Sequence, residues 1–326
     1  MFDVSKVRIR SAMELDEFRD DGPKFLTHAP LKVAFGARNI AHGPSNVFKT
    51  FFVLHSAVQV AQTGAQVLAI VGEGDEARIA DRLRGLSCMQ GTTLRALGTG
   101  LIAVFAAPPL DDDAGATFLL GLVAKVKPRL TIIDPFASIF LGDENRSDTV
   151  ARVLNVLDAV IASDSAVLLV HHDRKLGKDV GRDMRGHSRM RAWADVITGF
   201  EERDGQIVLY DEKQRDVAKS EPRAFVVRFG DDKLVSAIEP VERKPSRRER
   251  EAAEATDQLL GRVREVLAGG PTTKHKLLVA LSVSASTAER LLQKLVDLGE
   301  AEKRPVVMTD SRGRETKRDA YVAVVR

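Results

Sequence analysis

Over the first 230 residues, short apolar runs of strand length alternate with longer segments whose apolar residues recur every three or four positions. The apolar runs lie near Ile40 and at 66–71, 101–106, 130–134 and 166–170. The helical segments between them cover 51–61, 75–86, 115–126 and 148–162. Such alternation predicts an α/β fold built on a mainly parallel sheet.

Three more strand candidates follow at 195–200, 206–210 and 224–229, and we expect the last of them to close the sheet. The α/β domain then covers 31–238. A mixed-charge extension at 1–30 precedes it, in which 11–18 has the pattern of one short helix.

A charge-dense stretch at 239–254 is interpreted as a linker, after which the pattern changes to three helices and a hairpin. The helices are predicted at 255–267, 272–281 and 287–298, and strands at 301–308 and 319–325 frame a basic tip at 309–318. This order predicts a winged helix-turn-helix domain at 255–326.

The third helix of that domain carries polar residue types that can reach phosphates and base edges. They are Ser286, Thr287, Arg290, Gln293 and Lys294. Because winged helices also mediate protein contacts, the partner of this domain is DNA or another protein.

Composition narrows the class of protein. A chain of 326 residues with 44% apolar residues has material for two domains with buried cores. The single cysteine, Cys88, excludes a disulfide framework, and the chain has neither an apolar signal region nor a run of about 18 apolar residues. We therefore expect a cytoplasmic protein with no membrane partner.

From 241 to 326 there are 18 Lys and Arg against 13 Asp and Glu, so the basic bias is C-terminal.

The most informative stretch is the loop between the strand near Ile40 and the helix at 51–61. Its eight residues are Gly43, Pro44, Ser45, Asn46, Val47, Phe48, Lys49 and Thr50. A strand, a tight loop and a helix N-terminus direct N–H groups at an anion, Lys49 adds a charge, and Thr50 supplies a hydroxyl for Mg²⁺. The usual pattern has a second glycine where this chain has Phe48. The alternative is an ordinary loop that caps a core helix.

Two carboxylates follow buried strands. Glu73 lies between Gly72 and Gly74 after one strand, and Asp134 ends another. In open α/β sheets the carboxyl edge binds ligands, and an aspartate there suits a magnesium–phosphate complex. Asp134 followed by proline is also a common turn, so the interpretation depends on its pairing with the Lys49–Thr50 loop.

The strand at 166–170 runs into His171 and His172. Adjacent strand residues point to opposite sides, so only one of the two can face the site. We favour a polar group that senses the γ-phosphate over a zinc or core role, because zinc needs converging ligands.

The stretch 174–191 is glycine-spaced, basic and without periodicity. It is predicted to be a loop that either follows a nucleic-acid backbone or is simply solvated. Further on, Lys213 and Arg215 are two positions apart, so they would lie on the same side of an extended chain, about 7 Å from each other. Two cations so placed could reach a phosphate held by a neighbouring molecule, or they could simply be exposed charges at a hairpin end that keep the protein in solution.

Taken together, these residues resemble the RepA-like branch of the RecA-type P-loop ATPases of plasmid and phage replication. The resemblance spans about 31–229 and rests on several short motifs. They are the loop 43–50 with Phe before Lys, Gly72-Glu-Gly, Ile133-Asp-Pro, Gly142-Asp-Glu-Asn145, His171-His172 with Lys175, and Arg185-Gly186. Asn46 departs from the branch, where glycine is usual, although Asn tolerates a left-handed backbone.

The resemblance implies a hexameric ATPase that binds ATP and Mg²⁺ between subunits. Lys49 and Thr50 would match the phosphate loop, Glu73 the carboxylate that activates water, Asp134 the magnesium partner, and His171 or His172 the sensor. Lys213 and Arg215 resemble the Lys-x-Arg finger given to the neighbouring subunit, and 174–191 falls where related rings contact single-stranded DNA.

The function that this resemblance implies is a ring that hydrolyses ATP and moves on single-stranded DNA in replication of a mobile element, as a helicase. Its winged helix would contact DNA or a replication protein. Two alternatives stay open: a DNA-binding regulator in which ATP controls assembly with little turnover, and a recombinase-like filament.

Overall fold

The computed structural model describes residues 24–140, 142, 147–173, 188–215, 220–309 and 315–324. The predicted helix at 11–18, the motif residues at 143–145, most of the predicted loop at 174–191 (174–187) and the hairpin tip at 310–314 lie outside these residues. The chain divides into two compact units, Met1–Lys244 and Pro245–Arg326.

A nine-stranded sheet forms the centre of the first unit. A separate two-stranded sheet comes first in the chain, formed by β1 (Phe25–Thr27) and β2 (Val33–Ala34). The strands of the large sheet are β3 (Arg38–Gly43), β4 (Val67–Val71), β5 (Leu101–Phe105), β6 (Leu130–Asp134), β7 (Ala166–His172), β8 (Val196–Arg203), β9 (Gln206–Gln214), β10 (Arg223–Phe229) and β11 (Val235–Val241). The order is β11-β10-β9-β8-β3-β7-β6-β4-β5. The six strands from β8 to β5 are parallel and the other three antiparallel, which confirms the predicted α/β class.

Helices pack on both faces of this sheet. They are α1 (Lys49–Gln62), α2 (Glu76–Met89), the short α3 (Leu94–Leu97), α4 (Asp113–Val126), α5 (Ser147–Ile161) and the short α6 (Ser188–Trp193). Strand residues alternate between the faces: Ala69 joins the core that contains α1 and α2, and its neighbours Leu68 and Ile70 join the core that contains α4 and α5. Helices α2 and α4 begin where Asp75 and Asp112 cap them, since each side chain accepts an N–H of the first turn.

Two predictions about this unit were wrong in detail. The unit begins before residue 31, because β1 pairs with β2 and Thr27 is buried, with its hydroxyl donating to the Leu31 carbonyl. The strand 224–229 does not close the sheet, since β11 lies outside it. Pro240 obscured β11 in the sequence, and proline is tolerated there because β11 is an edge strand.

The second unit contains three helices and a hairpin. They are α7 (Arg247–Ala268), α8 (Lys274–Leu281), α9 (Ala285–Asp297), β12 (Ala301–Thr309) and the antiparallel β13 (Glu315–Ala323). One apolar residue from each helix, namely Val263, Leu277 and Leu291, contributes to the core that the three helices share. Each of these side chains is at most 1% exposed.

The predicted linker at 239–254 was wrong over its second half, because α7 begins at Arg247. Ser246 and Glu249 form a capping box, in which each side chain accepts the other residue's backbone N–H. Arg247 also pairs with Glu251 one turn later, at 2.7 Å. The dense charge therefore belongs to an exposed helix. The second hairpin strand likewise begins at Glu315, four residues before the predicted start.

No helix among the described residues is both long and apolar enough to cross a membrane.

Candidate functional site

The loop 43–50 lies at the carboxyl edge of the parallel strands. Gly43 ends β3 and pairs with His172 of β7, while Asp134 of β6 pairs with Val71 of β4. Residues from four strand ends therefore gather at one edge. This edge borders a cavity of about 750 Å³, lined by residues 45–50 of the loop, by Glu73, Asp134 and His172, and by the N-terminal parts of α1 and α2.

The backbone of the loop takes the left-handed conformation at two residues that are not glycine. Asn46 has φ 67° and Phe48 has φ 59°. Phe48 occupies the position of the second glycine in the usual pattern. Its ring packs against Phe51 at 5.6 Å and Phe229 at 6.0 Å between ring centroids. Aromatic contacts of this kind offset the cost of the backbone conformation.

Gly43 cannot be replaced without moving the backbone. A Cβ atom there would lie 2.5 Å from the Phe200 carbonyl oxygen of β8. The close approach of β8 therefore requires glycine at the start of the loop.

Lys49 directs its ammonium into the loop. Nζ donates to the carbonyls of Gly43 at 2.8 Å and Pro44 at 2.5 Å, and lies 3.3 Å from Nδ1 of His172. The residue is 4% exposed. Burial lowers the pKa of Lys49 to about 8, against the opposing influence of Asp173, Asp134 and Glu73. An anion entering the loop would raise that pKa again.

Asp134 and Thr50 form the second polar pair of the cavity. Burial raises the pKa of Asp134 to about 6, while a hydrogen bond from Thr50 and the charge of Lys49 act to lower it. A buried carboxylate beside a hydroxyl is a donor set suited to Mg²⁺, which takes few protein oxygens and completes its shell with water and phosphate. The two residues therefore fit the metal that the sequence predicts.

The two histidines point to opposite sides, as expected for neighbours on a strand. His172 lines the cavity, with Nε2 3.6 Å from Oε1 of Glu73. His171 is buried against Phe136, and burial lowers its pKa to about 4. Among the described residues, no group of three or more His, Cys, Asp or Glu could hold a metal ion.

Glu73 lies at the mouth of the cavity, and its side chain is 68% exposed. Its carboxylate is therefore accessible to solvent water beside the loop. A carboxylate so placed can hold and polarise a water molecule.

Sequence reasoning missed two arginines of α2 that line the cavity, Arg78 and Arg82. The guanidinium of Arg82 lies 5.1 Å from the ring centroid of Phe51. Their spacing of four residues, in the helix after Glu73, placed both on one face and was the available signal. They add positive charge where a polyanion would enter.

Lys213 and Arg215 lie at the opposite edge of the sheet. Lys213 pairs with Ile197 near the start of β8, and Arg215 follows the end of β9. Nζ of Lys213 donates to the carbonyls of Arg191 and Ala194, and Arg215 forms an ion pair of 2.9 Å with Asp195. Neither cation belongs to the cavity of its own chain.

Residues 30–178 match a family model described as AAA domain. The RadB recombinase structure aligns with a TM-score of 0.50 and 18% identity, over 64% of this chain and 93% of that one. The flagellar accessory protein FlaH from Methanocaldococcus jannaschii aligns with a TM-score of 0.49 and 11% identity, over 65% of this chain and 92% of that one. No curated protein matches the chain.

The RepA-like branch stays a prediction, since none of these matches distinguishes it. The family match shows that residues 30–178 resemble the AAA domain family, and the structural similarity shows a RecA-like α/β fold in which the loop 43–50 lies between β3 and α1.

Proposed function

We propose that this protein is a Mg²⁺-dependent ATPase that assembles as a ring, moves on single-stranded DNA and acts as a helicase in replication of a mobile element. The observation that carries the ATPase part is the convergence of Lys49, Thr50, Asp134, Glu73 and His172 on one cavity. The RepA-like resemblance supplies the hexamer, the DNA and the replication role.

In this proposal the triphosphate lies along the loop, and Lys49 leaves the carbonyls of Gly43 and Pro44 to contact it. Glu73 holds the attacking water in line with the γ-phosphate, and His172 reports whether that phosphate is present. Mg²⁺, held through Thr50 and Asp134, would neutralise charge on the phosphate oxygens.

The neighbouring subunit contributes the remaining cation. Lys213 and Arg215 lie at the edge opposite their own loop, which favours action on another subunit. Arg215 would exchange Asp195 for the γ-phosphate and stabilise charge that develops there.

The proposed DNA contacts lie in 174–191 and in the second unit. Of the former, the described residues 188–191 belong to the short helix α6. In the second unit, the order of helices and hairpin supports a winged helix-turn-helix whose exposed α9 residues Arg290, Gln293 and Lys294 contact DNA or a replication protein.

The first experiment is the rate of ATP hydrolysis with and without single-stranded DNA. We expect DNA to stimulate the wild type, and Lys49→Ala and Glu73→Gln each to lower kcat by at least about 100-fold, because they remove phosphate binding and water activation. The matched controls Lys125→Ala and Glu254→Gln, both at exposed helical positions, should keep the wild-type rate. Wild-type protein that binds ATP without hydrolysing it would exclude the helicase.

Subunit mixing tests the ring. Lys49→Ala and Arg215→Ala should each be inactive alone, whereas an equal mixture should recover about a quarter of the wild-type rate, because about one interface in four pairs an intact loop with an intact finger. Absence of recovery in mixed oligomers would contradict action between subunits.

A second candidate is a DNA-binding regulator in which ATP controls assembly. Asn46 and Phe48, both left-handed in place of glycine, favour it, since they depart from the usual loop. Under this alternative, Glu73→Gln should preserve function in the cell. The helicase proposal expects the same substitution to abolish function.

A further inference from the structure

A buried polar cluster lies beside the cavity but has no role in the function proposed above. His42, the residue before Gly43 in β3, is 1% exposed and lies between two carboxylates. Its Nδ1 is 2.7 Å from Oδ1 of Asp173, which follows β7, and its Nε2 is 3.2 Å from Oε1 of Glu212 in β9. Asp173 is also buried, and Glu212 nearly so.

The geometry favours the charged form of the imidazole. A neutral ring has one N–H, so if Nδ1 donates to Asp173, the lone pair of Nε2 faces the Glu212 carboxylate and is repelled. The imidazolium removes that repulsion. The Nε2 contact is not aligned as a hydrogen bond, so it acts as an ion pair. Burial alone would lower the pKa of His42, but Asp173 and Glu212 outweigh it and raise that pKa.

One end of the cluster reaches the phosphate loop. The backbone N–H of Asp173 donates to the Gly43 carbonyl at 3.2 Å, the same carbonyl that accepts from Lys49. The carboxylate of Asp173 also favours the charged form of Lys49. Movement of Lys49 toward a phosphate therefore changes both the hydrogen bonding and the field at Asp173.

The other end reaches α6 and Lys213. Glu212 pairs with Arg191 at 3.0 Å, and the Arg191 carbonyl accepts from Lys213 at 2.8 Å. Gly199 of β8 leaves room for the Glu212 carboxylate, since a Cβ atom at Gly199 would lie 2.8 Å from Oε1 of Glu212. Asp173 immediately precedes 174–187, and α6 immediately follows it.

We propose that His42 is a positioning residue whose imidazolium, held between Asp173 and Glu212, transmits nucleotide binding at the phosphate loop to α6 and to the end of β9. The proposal rests on the proposed function only in requiring that a nucleotide binds at Lys49. It makes the cluster the physical link between the nucleotide and both flanks of the segment proposed to contact DNA.

Hydrogen exchange of the full chain, with and without ATPγS and Mg²⁺, tests this link. In wild-type protein we expect the nucleotide to slow exchange in the phosphate loop and also at 188–193 and 206–214. His42→Gln should bind ATPγS with a Kd within about threefold of wild type and still protect the loop, yet show no change at 188–193 and 206–214. The control His55→Gln also replaces a buried histidine, one outside the cluster, and should behave as wild type.

A pH series supplies a second readout that needs no variant. The groups that face His42 are Asp173, Glu212 with its partner Arg191, and His171, whose low pKa keeps it neutral near pH 7. As the pH rises through the raised pKa of His42, the imidazolium is lost, so the protection at 188–193 and 206–214 should be present at low pH and disappear once the pH exceeds that pKa.

Three results would overturn the inference: transmitted protection that survives in His42→Gln, wild-type protection confined to the loop, or protection at 188–193 and 206–214 that is unchanged across the pH series. If neither the wild type nor Lys49→Ala binds ATPγS measurably, the proposed function is overturned, and this inference with it.

Discussion

At the residue scale, the loop 43–50 combines a buried cation with a backbone that departs from the glycine-rich form usual in phosphate-binding loops. Lys49 is enclosed by its own loop, and its charge is weakened by burial. Asn46 and Phe48 hold left-handed conformations that glycine usually occupies. Both features predict measurable consequences for nucleotide binding and for stability.

Nucleotide binding near pH 8 should take up about half a proton. Free Lys49, with its pKa lowered to about 8, is then half protonated, and the phosphates of a bound nucleotide raise that pKa again. Calorimetry in buffers of different ionisation enthalpy measures the uptake. Lys49→Arg, whose guanidinium stays charged, should show little uptake. Equal uptake in the two proteins would assign the proton to another group.

Substitution of Asn46 should separate backbone conformation from side-chain chemistry. Asn46→Ala places a residue without a local hydrogen bond at φ 67°, so the free energy of unfolding should fall by about 1 kcal/mol relative to Asn46→Gly. Urea denaturation measures the difference. Equal stability of the two variants would show that the loop relaxes to another conformation.

At the scale of the elements, one glycine determines how closely α2 approaches the antiparallel edge of the sheet. A Cβ atom on Gly85 would lie 2.7 Å from the carbonyl oxygen and 2.8 Å from the nitrogen of Val235 in β11. Because these are backbone atoms, they cannot move aside independently of the strand. The missed strand β11 thus supports the helix that carries Arg78 and Arg82.

Gly85→Ala should therefore lower the free energy of unfolding by about 1–3 kcal/mol, since α2 must move away from β11. Gly121→Ala in α4 is the matched control, because nothing lies within 4 Å of the added methyl group. That control should gain about 0.5–1 kcal/mol from helix propensity. Urea denaturation of both variants checks the prediction, and a stable Gly85→Ala would contradict the close packing.

At the scale of the whole molecule, the chain consists of two units with separate cores. The first unit carries the loop 43–50 and its cavity, and the core of the second is built from α7, α8, α9 and the start of β12. Such an arrangement predicts that damage to one core leaves the other folded.

Leu291→Ala should unfold the second unit selectively. This side chain is 1% exposed in the core of the three helices, so truncation should cost about 2–5 kcal/mol there. Hydrogen exchange should show the loss within 245–326, with ATP binding by the first unit unchanged. The control Leu298→Ala, at a side chain 49% exposed, should change stability by about 0.5 kcal/mol or less. Loss of ATP binding in Leu291→Ala would show that the units depend on each other.

Local patterns in the sequence predicted much of the first unit. Strands β3 to β7 and helices α1, α2, α4 and α5 were identified because apolar periodicity reports which residues are buried, whatever the order of the strands. Glu73 and Asp134 were placed at strand ends, and Lys49 and Thr50 in the loop between a strand and a helix. That placement implies a common edge when the strands are parallel. The edge strand β11 was not predicted, because Pro240 and several half-exposed positions weaken its apolar pattern.

What the sequence alone determined was the α/β class, the position of the loop 43–50 between a strand and a helix, and the carboxylates that follow buried strands, since each depends on neighbours along the chain. Only the tertiary structure decided which histidine faces the cavity, that Arg78 and Arg82 join it, and that Lys213 lies at the opposite edge. It also brought His42, Asp173 and Glu212 together. These features depend on strand order and register, which arise from contacts between residues far apart in the sequence, such as His42 and Glu212.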